Sequence, residues 1–231
     1  MHETSDLYQR LLRDPLHRKE MRVRISAEDY GEDRIVLLET SGGVFDQPDI
    51  GNCASRQIDL TLRNPGHIPR GAEMRIFVRL RRGGETSEWI PKGVFFISTR
   101  RLDKVSGVLD IHGFDAMRRA VEVWDIDPYA NWPMSQQKAV SSIARQMDVA
   151  VDPRTSLSNS FPVDYPVDED GDLAMADILE GIAVSETGNW VITDEGKLLL
   201  LRLGDIPAET SYLVDETGAA ITFGGVRILV G

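Results

Sequence analysis

SEWIPKGVFFIS (87–98) and GVLDIHGFDAM (107–117) decide how this chain is read. Pro91 has no backbone donor, so it belongs at the start or edge of a strand. Val94 to Thr99 is β-branched and aromatic, which suits a pleated, half-buried surface. Asp103 to Gly107 interrupts the run and Val108 to Ile111 resumes it, so the two stretches predict an antiparallel hairpin. Beyond Gly113-Phe114-Asp115 the apolar spacing changes from two residues to about 3.6, and Asp115 to Val121 reads as a short helix.

On the N-terminal side, Ser5 can cap a helix over residues 5–13 that puts Leu7, Leu11 and Leu12 on one face; Asp14-Pro15 stops it. Met21, Val23 and Ile25 then alternate with Arg22 and Arg24, the signature of a half-buried strand. Further strands are predicted over Ile35–Leu38, Arg56–Arg63 and Glu73–Arg82. They are separated by Asp29-Tyr30-Gly31, a loop over Ser41–Asn52, Asn64-Pro65-Gly66, Pro69-Arg70-Gly71 and Gly83-Gly84. Spacing alone predicts a small antiparallel barrel or a sandwich.

On the C-terminal side the period is helical. Met134–Met147 predicts a helix with Ser135 near its N-cap. Leu173–Glu186 predicts a second, with Gly188 just past its end. Trp190–Thr193 and Lys197–Leu201 flank Asp194-Glu195-Gly196 as a hairpin. Residues 219–231, AAITFGGVRILVG, are apolar and β-prone.

Two motifs in order, the hairpin of 87–117 and DLAMADILEGIAVSETGNWVITDEGKLLLL (172–201), resemble the hub proteins at the tip of long-tailed bacteriophage tails. That family includes the N-terminal hub region of prophage tail proteins and tail-associated endopeptidases, and the resemblance covers nearly the whole chain. It implies an α+β fold in four parts. An N-terminal arm (1–15) leads into a β-barrel-like tube domain (16–121), then a small α/β domain of two helices and a hairpin (122–206). Residues 207–231 would be the first strands of a second tube domain, which looks truncated. The resemblance also implies a non-enzymatic structural subunit of the baseplate hub. Such a subunit forms a ring, usually a homo-trimer, together with other tail-tube and tail-tip proteins, in a virion tail assembled in the host cytoplasm. Two rival readings stand beside it. One is the N-terminal part of a tail-associated lysin that hydrolyses cell wall or protein. The other is a host-surface-binding module, for which Trp132 in a Pro-rich loop is the candidate aromatic.

Composition narrows the function classes. Of 231 residues, 42% are hydrophobic and 27% charged, enough for a core with a solvated surface. No apolar run approaches the ~20 residues that span a bilayer, and the polar, amphipathic start does not read as a signal peptide. Residues 1–119 carry 20 Lys and Arg against 18 Asp and Glu, a net of +2; residues 120–231 carry 6 against 19, a net of −13. So acidic a half repels phosphates, which argues against stable nucleic-acid binding by the chain. Cys53 is the single cysteine, so no intrachain disulfide forms, and it has no basic or His neighbour in sequence to activate its thiol.

No catalytic, metal or cofactor residues are predicted. His2, His17, His67 and His112 lie in no nucleophile motif. DYPVDEDGD (164–172) fails as a calcium loop, because Pro166 would fall at the first ligand position and Asp177 at the last. The candidate surfaces are for assembly. Arg75, Arg79 and Arg81 share one strand face, opposite Met74, Ile76, Val78 and Leu80. That face is either ordinary and solvated or an intersubunit surface meeting acidic groups of a neighbour. A nucleic-acid groove ranks third, since no aromatics are expected to interleave with the arginines. Ile221, Phe223, Val226 and Ile228 would be an aggregation site if free, so they are expected to pair with a sheet edge, of this chain or of a neighbouring subunit.

Overall fold

A computed structural model describes residues 4–43, 50–63, 65–126, 130–158, 160–168, 171–202, 211–212, 222–223, 226–227 and 229–230. Helix α1 (Asp6–Arg13) precedes eight strands: β1 (Arg18–Ile25), β2 (Glu28–Tyr30), β3 (Ile35–Gly42), β4 (Arg56–Arg63), β5 (Glu73–Arg82), β6 (Glu85–Thr86), β7 (Ile90–Asp103) and β8 (Val108–Phe114). They form one antiparallel sheet in the order β2-β1-β5-β7-β8-β4-β3, with β6 added to β5.

β2 and β3 stand at opposite ends of that order, yet only the Gly31–Arg34 turn separates them, closed by hydrogen bonds from Arg34 N and Ile35 N to Gly31 O. So short a link forces the sheet to roll until its two ends approach. The ladder itself remains open: among the described residues no pairing joins β2 to β3. The sheet is therefore a rolled open sheet, and closure of the β-barrel-like domain that the resemblance implies is not seen among the described residues.

Alternation fills the inside of the roll. Val23 and Ile25, Ile58, Leu60 and Leu62, Met74 and Ile76, and Leu109 and Ile111 are all buried there, with Tyr30, Phe95 and Ile97. Each such side chain contributes roughly 1.5–3 kcal/mol on burial. The sequence pattern places Tyr30 in a turn. It instead ends β2, and its hydroxyl donates to Pro65 O at 2.8 Å. Helix α1 lies against β5 with Leu11 buried. Ser5 caps it, accepting from Tyr8 N, and is itself held by Glu88, which accepts from Ser5 N and Oγ at 2.7 and 2.6 Å.

A second core follows. It comprises a 3-10 helix (Ala116–Val121), α2 (Gln136–Gln146) and α3 (Met175–Ser185), with short pairs β9 (Met134–Ser135) and β10 (Pro162–Val163), and β11 (Val167–Asp168) and β12 (Gly171–Asp172). The hairpin β13 (Gly188–Ile192) and β14 (Leu198–Arg202) completes it. Ser135 caps α2, as expected. Gly188 lies just past the end of α3, as expected, but is not the left-handed residue. Thr187 takes the left-handed position (φ +56°), and Gly188 opens β13 instead. Trp190 is fully buried, and its indole N–H donates to Leu179 O on α3 at 2.7 Å. The hairpin is widened on both sides by parallel bridges, Cys53 to Trp190 and Val151 to Leu198.

Residues 1–201 form one compact unit and 202–231 another. The division expected at 121/122 therefore falls inside the first unit, between its two cores. In the second unit β15 (Ser211–Tyr212) pairs with β18 (Leu229–Val230), and β16 (Thr222–Phe223) with β17 (Val226–Arg227).

Candidate functional site

The two opening motifs meet where the cores join. In β7, two residues are extra to the ladder. Gly93 pairs with Ile76 and Pro91 with Phe77, leaving Lys92 as a bulge, and Ser98 is skipped between Ile97 and Thr99. Gly93 has φ +151°, and a Cβ there would sit 2.4 Å from the Phe95 ring. Between the bulges, neighbouring aromatics serve different cores: Phe95 is fully buried inside the rolled sheet, while Phe96 packs against the helix–hairpin core. This is why the run reads as continuously apolar rather than alternating. Gly113 in β8 is equally constrained, since a Cβ would lie 2.6 Å from Phe96 O and 2.9 Å from Met74 Cε.

Asp115, next in the motif, is buried and accepts from Arg56 N at 3.0 Å, Ser55 Oγ at 3.1 Å and Met117 N at 3.1 Å. It thus caps the 3-10 helix and fixes the start of β4 together. Burial pushes its carboxyl up, opposed by the hydrogen bonds and charge of Arg56. Arg56 reaches onward to Asp194 at 2.7 Å and Thr193 O at 3.2 Å, in the turn of the β13–β14 hairpin. Just before it, Gly51 N donates to Gly188 O and Trp190 N to Asn52 O. One connection, residues 50–56, thereby ties the sheet to the hairpin. Beside it lies a cleft of about 710 Å³. The cations on its wall each face a carboxylate: Arg56 meets Asp194, Arg154 meets Asp152 at 2.8 and 3.0 Å, and Lys197 meets Glu195 at 2.6 Å.

The predicted arginines are placed as follows. Arg75, Arg79 and Arg81 all point outward from β5, and each is paired within the chain. Arg75 meets Glu73 at 2.5 Å, Arg79 meets Glu20 at 2.7 Å, and Arg81 meets Glu20 at 3.5 Å. The hydrogen bond from Arg79 holds the Glu20 carboxyl below its usual range. Aromatic rings do lie among these arginines, each with a guanidinium over it. Phe77 shares the face with the arginines, and Arg22 on β1 lies 4.9 Å from the Phe77 ring centre and 4.4 Å from that of Trp89. Arg79 also lies 4.4 Å from the Trp89 ring. Phe77 was legible at the centre of Arg-x-Phe-x-Arg; Trp89 was not, because it precedes β7 and folds back over β5.

Of the tail residues, Phe223 and Val226 are partners in the β16–β17 pair; Ile221 and Ile228 lie outside the described residues. The partners found for this segment lie within its own unit. Trp132 is half-buried, edge-on between Trp124 and Tyr165 at 5.7 and 5.3 Å. His112 contacts Asp59 at 2.8 Å on the outer face of β8. Burial pushes the Cys53 thiol far up, with Glu180 and Asp177 adding to the effect, so it is a poor nucleophile. Among the described residues no three His, Cys, Asp or Glu side chains are grouped to hold a metal ion, and no helix is long and apolar enough to cross a membrane.

The sequence matches no protein-family model and no curated protein. Solved structures do match. The chain is similar to the 43 kDa tail protein of prophage MuSo2 from Shewanella oneidensis, with a TM-score of 0.53 and 12% identity over 85% of this chain and 57% of that one. It is similar to a tail protein from Neisseria meningitidis MC58, with a TM-score of 0.52 and 15% identity over 88% of this chain and 53% of that one. A chain of the half-lidded Francisella PdpA–VgrG complex matches at a TM-score of 0.50 and 9% identity, over 81% of this chain and 32% of that one. This chain spans a little over half the length of the two tail proteins. The overall fold of this chain is thus similar to that of two prophage tail proteins over 85% and 88% of its length.

Proposed function

We propose that this chain is a structural subunit of a phage or prophage tail tip, a baseplate hub protein without enzymatic activity. The observation that carries the reading is the fold shared with two prophage tail proteins over 85% and 88% of the chain. In this reading the rolled sheet of residues 16–121 is a tube domain whose open seam is completed in an assembled ring, a homo-trimer. Residues 122–206 are the small domain beside it, and 207–231 begin a second tube domain. Its partners are further copies of itself and tail-tube and tail-tip proteins, with neither membrane nor nucleic acid among them, and its place is the virion tail. Function here is interface formation, with fit from apolar burial and partner choice from charge.

Light scattering coupled to gel filtration, with negative-stain imaging, tests the reading on the purified chain. A closed ring of three copies is expected. A monomer at every concentration would remove the ring. Turbidity clearing of a cell-wall suspension that a single carboxylate substitution abolishes would replace the structural reading with a lysin.

A further inference from the structure

We propose that the free edge of β7, Thr99 to Asp103, adds as a further strand to the free edge of β3 in a second copy of this chain. The inference rests on the hub reading, because it names the contact that completes the open seam of the sheet.

Two edges of the sheet have no ladder partner. β5 pairs with β7 only as far as Phe96, while β8 pairs with it through to Asp103. From Thr99 to Asp103, β7 therefore has β8 on one side and, among the described residues, no strand on the other. The arm so formed, residues 98–106, is exposed at every position, Leu102 and Val105 included. β3 ends the sheet order. After a bulge at Val36 its register with β4 is regular from Leu37 to Gly42, so the two open edges are of similar length. Val36 and Leu37 are exposed as well. Natural edge strands are commonly blunted by Lys or Pro, and β3 has neither. Unpaired N–H and C=O groups flanked by exposed apolar side chains are what an added strand covers.

Charge decides which strand is added. β3 carries one charged residue, Glu39, whereas the arm carries Arg100, Arg101 and Lys104 against Asp103. Asp103 closes the arm's turn, accepting from Val105 N and Ser106 Oγ, and Arg101 stands opposite Asp110 of β8. Arg100 stands opposite Ile111, and neither Arg100 nor Glu39 makes an ion pair among the described residues. Pairing β3 with β3 would bring Glu39 toward Glu39, and arm with arm would gather the cations of both copies; like charges facing each other destabilise a ladder. Arm on β3 avoids both. The contact is head-to-tail, so it closes into a ring when its rotation allows. Whole copies of net charge −11 repel at long range. The halves that touch are nearly neutral, +2 over residues 1–119, and ladder bonds with apolar burial hold them rather than charge. Salt screens the long-range repulsion, so the contact is expected to persist or tighten as salt rises.

Sedimentation velocity of the full chain tests this with two variants at exposed sites, Val36→Lys/Leu37→Lys on β3 and Leu102→Lys/Val105→Lys on the arm. Each alone is expected to associate at least about tenfold more weakly, from the apolar burial it forfeits. Mixed in equal amounts they should form a dimer and nothing larger, because each copy keeps the edge the other has lost. Hydrogen exchange on the unaltered chain needs no substitution: amides within 37–42 and 99–103 should slow in the assembled state relative to the dilute monomer. If both variants assemble as the wild type does, or both segments exchange equally fast in ring and monomer, the inference falls and the hub reading stands. Variants that each fail to assemble and stay apart on mixing would mean that the two edges do not meet each other, and would overturn the inference. A wild type that is monomeric at every concentration takes the hub ring down with it.

Discussion

The rolled sheet and the helix–hairpin core bury similar residues but are specified differently. In the sheet, Val23, Ile25, Ile58, Leu60, Leu62, Met74 and Ile76 lie inside because strands alternate, and each strand announces itself locally. In the other core, Trp190 is buried by α3 and paired on its backbone with Asn52, a residue far away in sequence. One core is a sum of local patterns; the other exists because a connection from the sheet is threaded along its hairpin. The two are coupled by β7, which gives Phe95 to one and Phe96 to the other, and by the Asp115–Arg56–Asp194 chain.

If that coupling holds, damage to either core is felt by residues 1–201 as a whole. Trp190→Ala has the largest expected effect, about 3–5 kcal/mol, because it opens a cavity the size of an indole and leaves Leu179 O without its donor. Urea unfolding followed by far-UV circular dichroism should show one transition, shifted to lower denaturant. Two separated transitions, with only the helical signal lost early, would break the coupling and make the cores independent.

Asp115→Ala sharpens the same point at the joint. It removes the acceptor for Arg56 N, Ser55 Oγ and Met117 N in a buried position. Stripping one partner from a buried charged pair costs about 3–5 kcal/mol, here reduced toward 3 because Arg56 keeps Asp194. Thermal melting should report a loss at both cores, whereas an N-cap acting on the 3-10 helix alone would account for only ~1 kcal/mol.

How much was legible follows from the same contrast. The longer strands of the sheet, the four helical segments and the β13–β14 turn could be read from period and punctuation. β2 was missed because Asp29-Tyr30-Gly31 has turn chemistry, and only Tyr30 reaching Pro65 O makes it a strand. Gly188 does lie just past α3, but it is Thr187 that takes the left-handed position there. At the candidate surface, the arginine face was visible in Arg75-x-x-x-Arg79-x-Arg81. The stacking was not, because Trp89 sits outside any strand pattern and Arg22 faces Phe77 through a pairing between β1 and β5. The role of Asp115 was hidden for the same reason: its partners Ser55 and Arg56 are joined to it by topology, not sequence.

A smaller effect belongs to the helix–hairpin core and depends on pH. The Asp152 side chain is nearly buried, and hydrogen bonds from Arg154 hold its carboxyl down at about 2, from an ordinary 3.8. A lowered folded value means the stabilisation is complete above pH 3.8 and disappears as pH falls toward 2. Arg154 is half exposed, so the contribution is about 1–2 kcal/mol rather than the full shift. Asp152→Asn should therefore lower stability near neutrality and flatten its fall across that acid window. Parallel slopes for the two proteins there would remove Asp152 from the account.

Smallest of all is the expected effect of Arg75→Ala on the rolled sheet. Arg75 lies on the outer face beside Arg24, at the end of the stacked row. Its one ion pair, to Glu73, joins two side chains that are each more than two-fifths exposed. Such a pair contributes at most about 0.5 kcal/mol, since water competes for both charges and two long side chains lose freedom to make it. Arg22 differs in that its guanidinium is stacked between two rings and largely shielded. Arg22→Ala should thus cost roughly 1 kcal/mol more than Arg75→Ala, the order of one desolvated cation–π contact. Equal losses in a denaturant titration of the two variants would mean that the stack adds nothing to the folded chain, and that Arg75 and Arg22 belong to one uniformly solvated face.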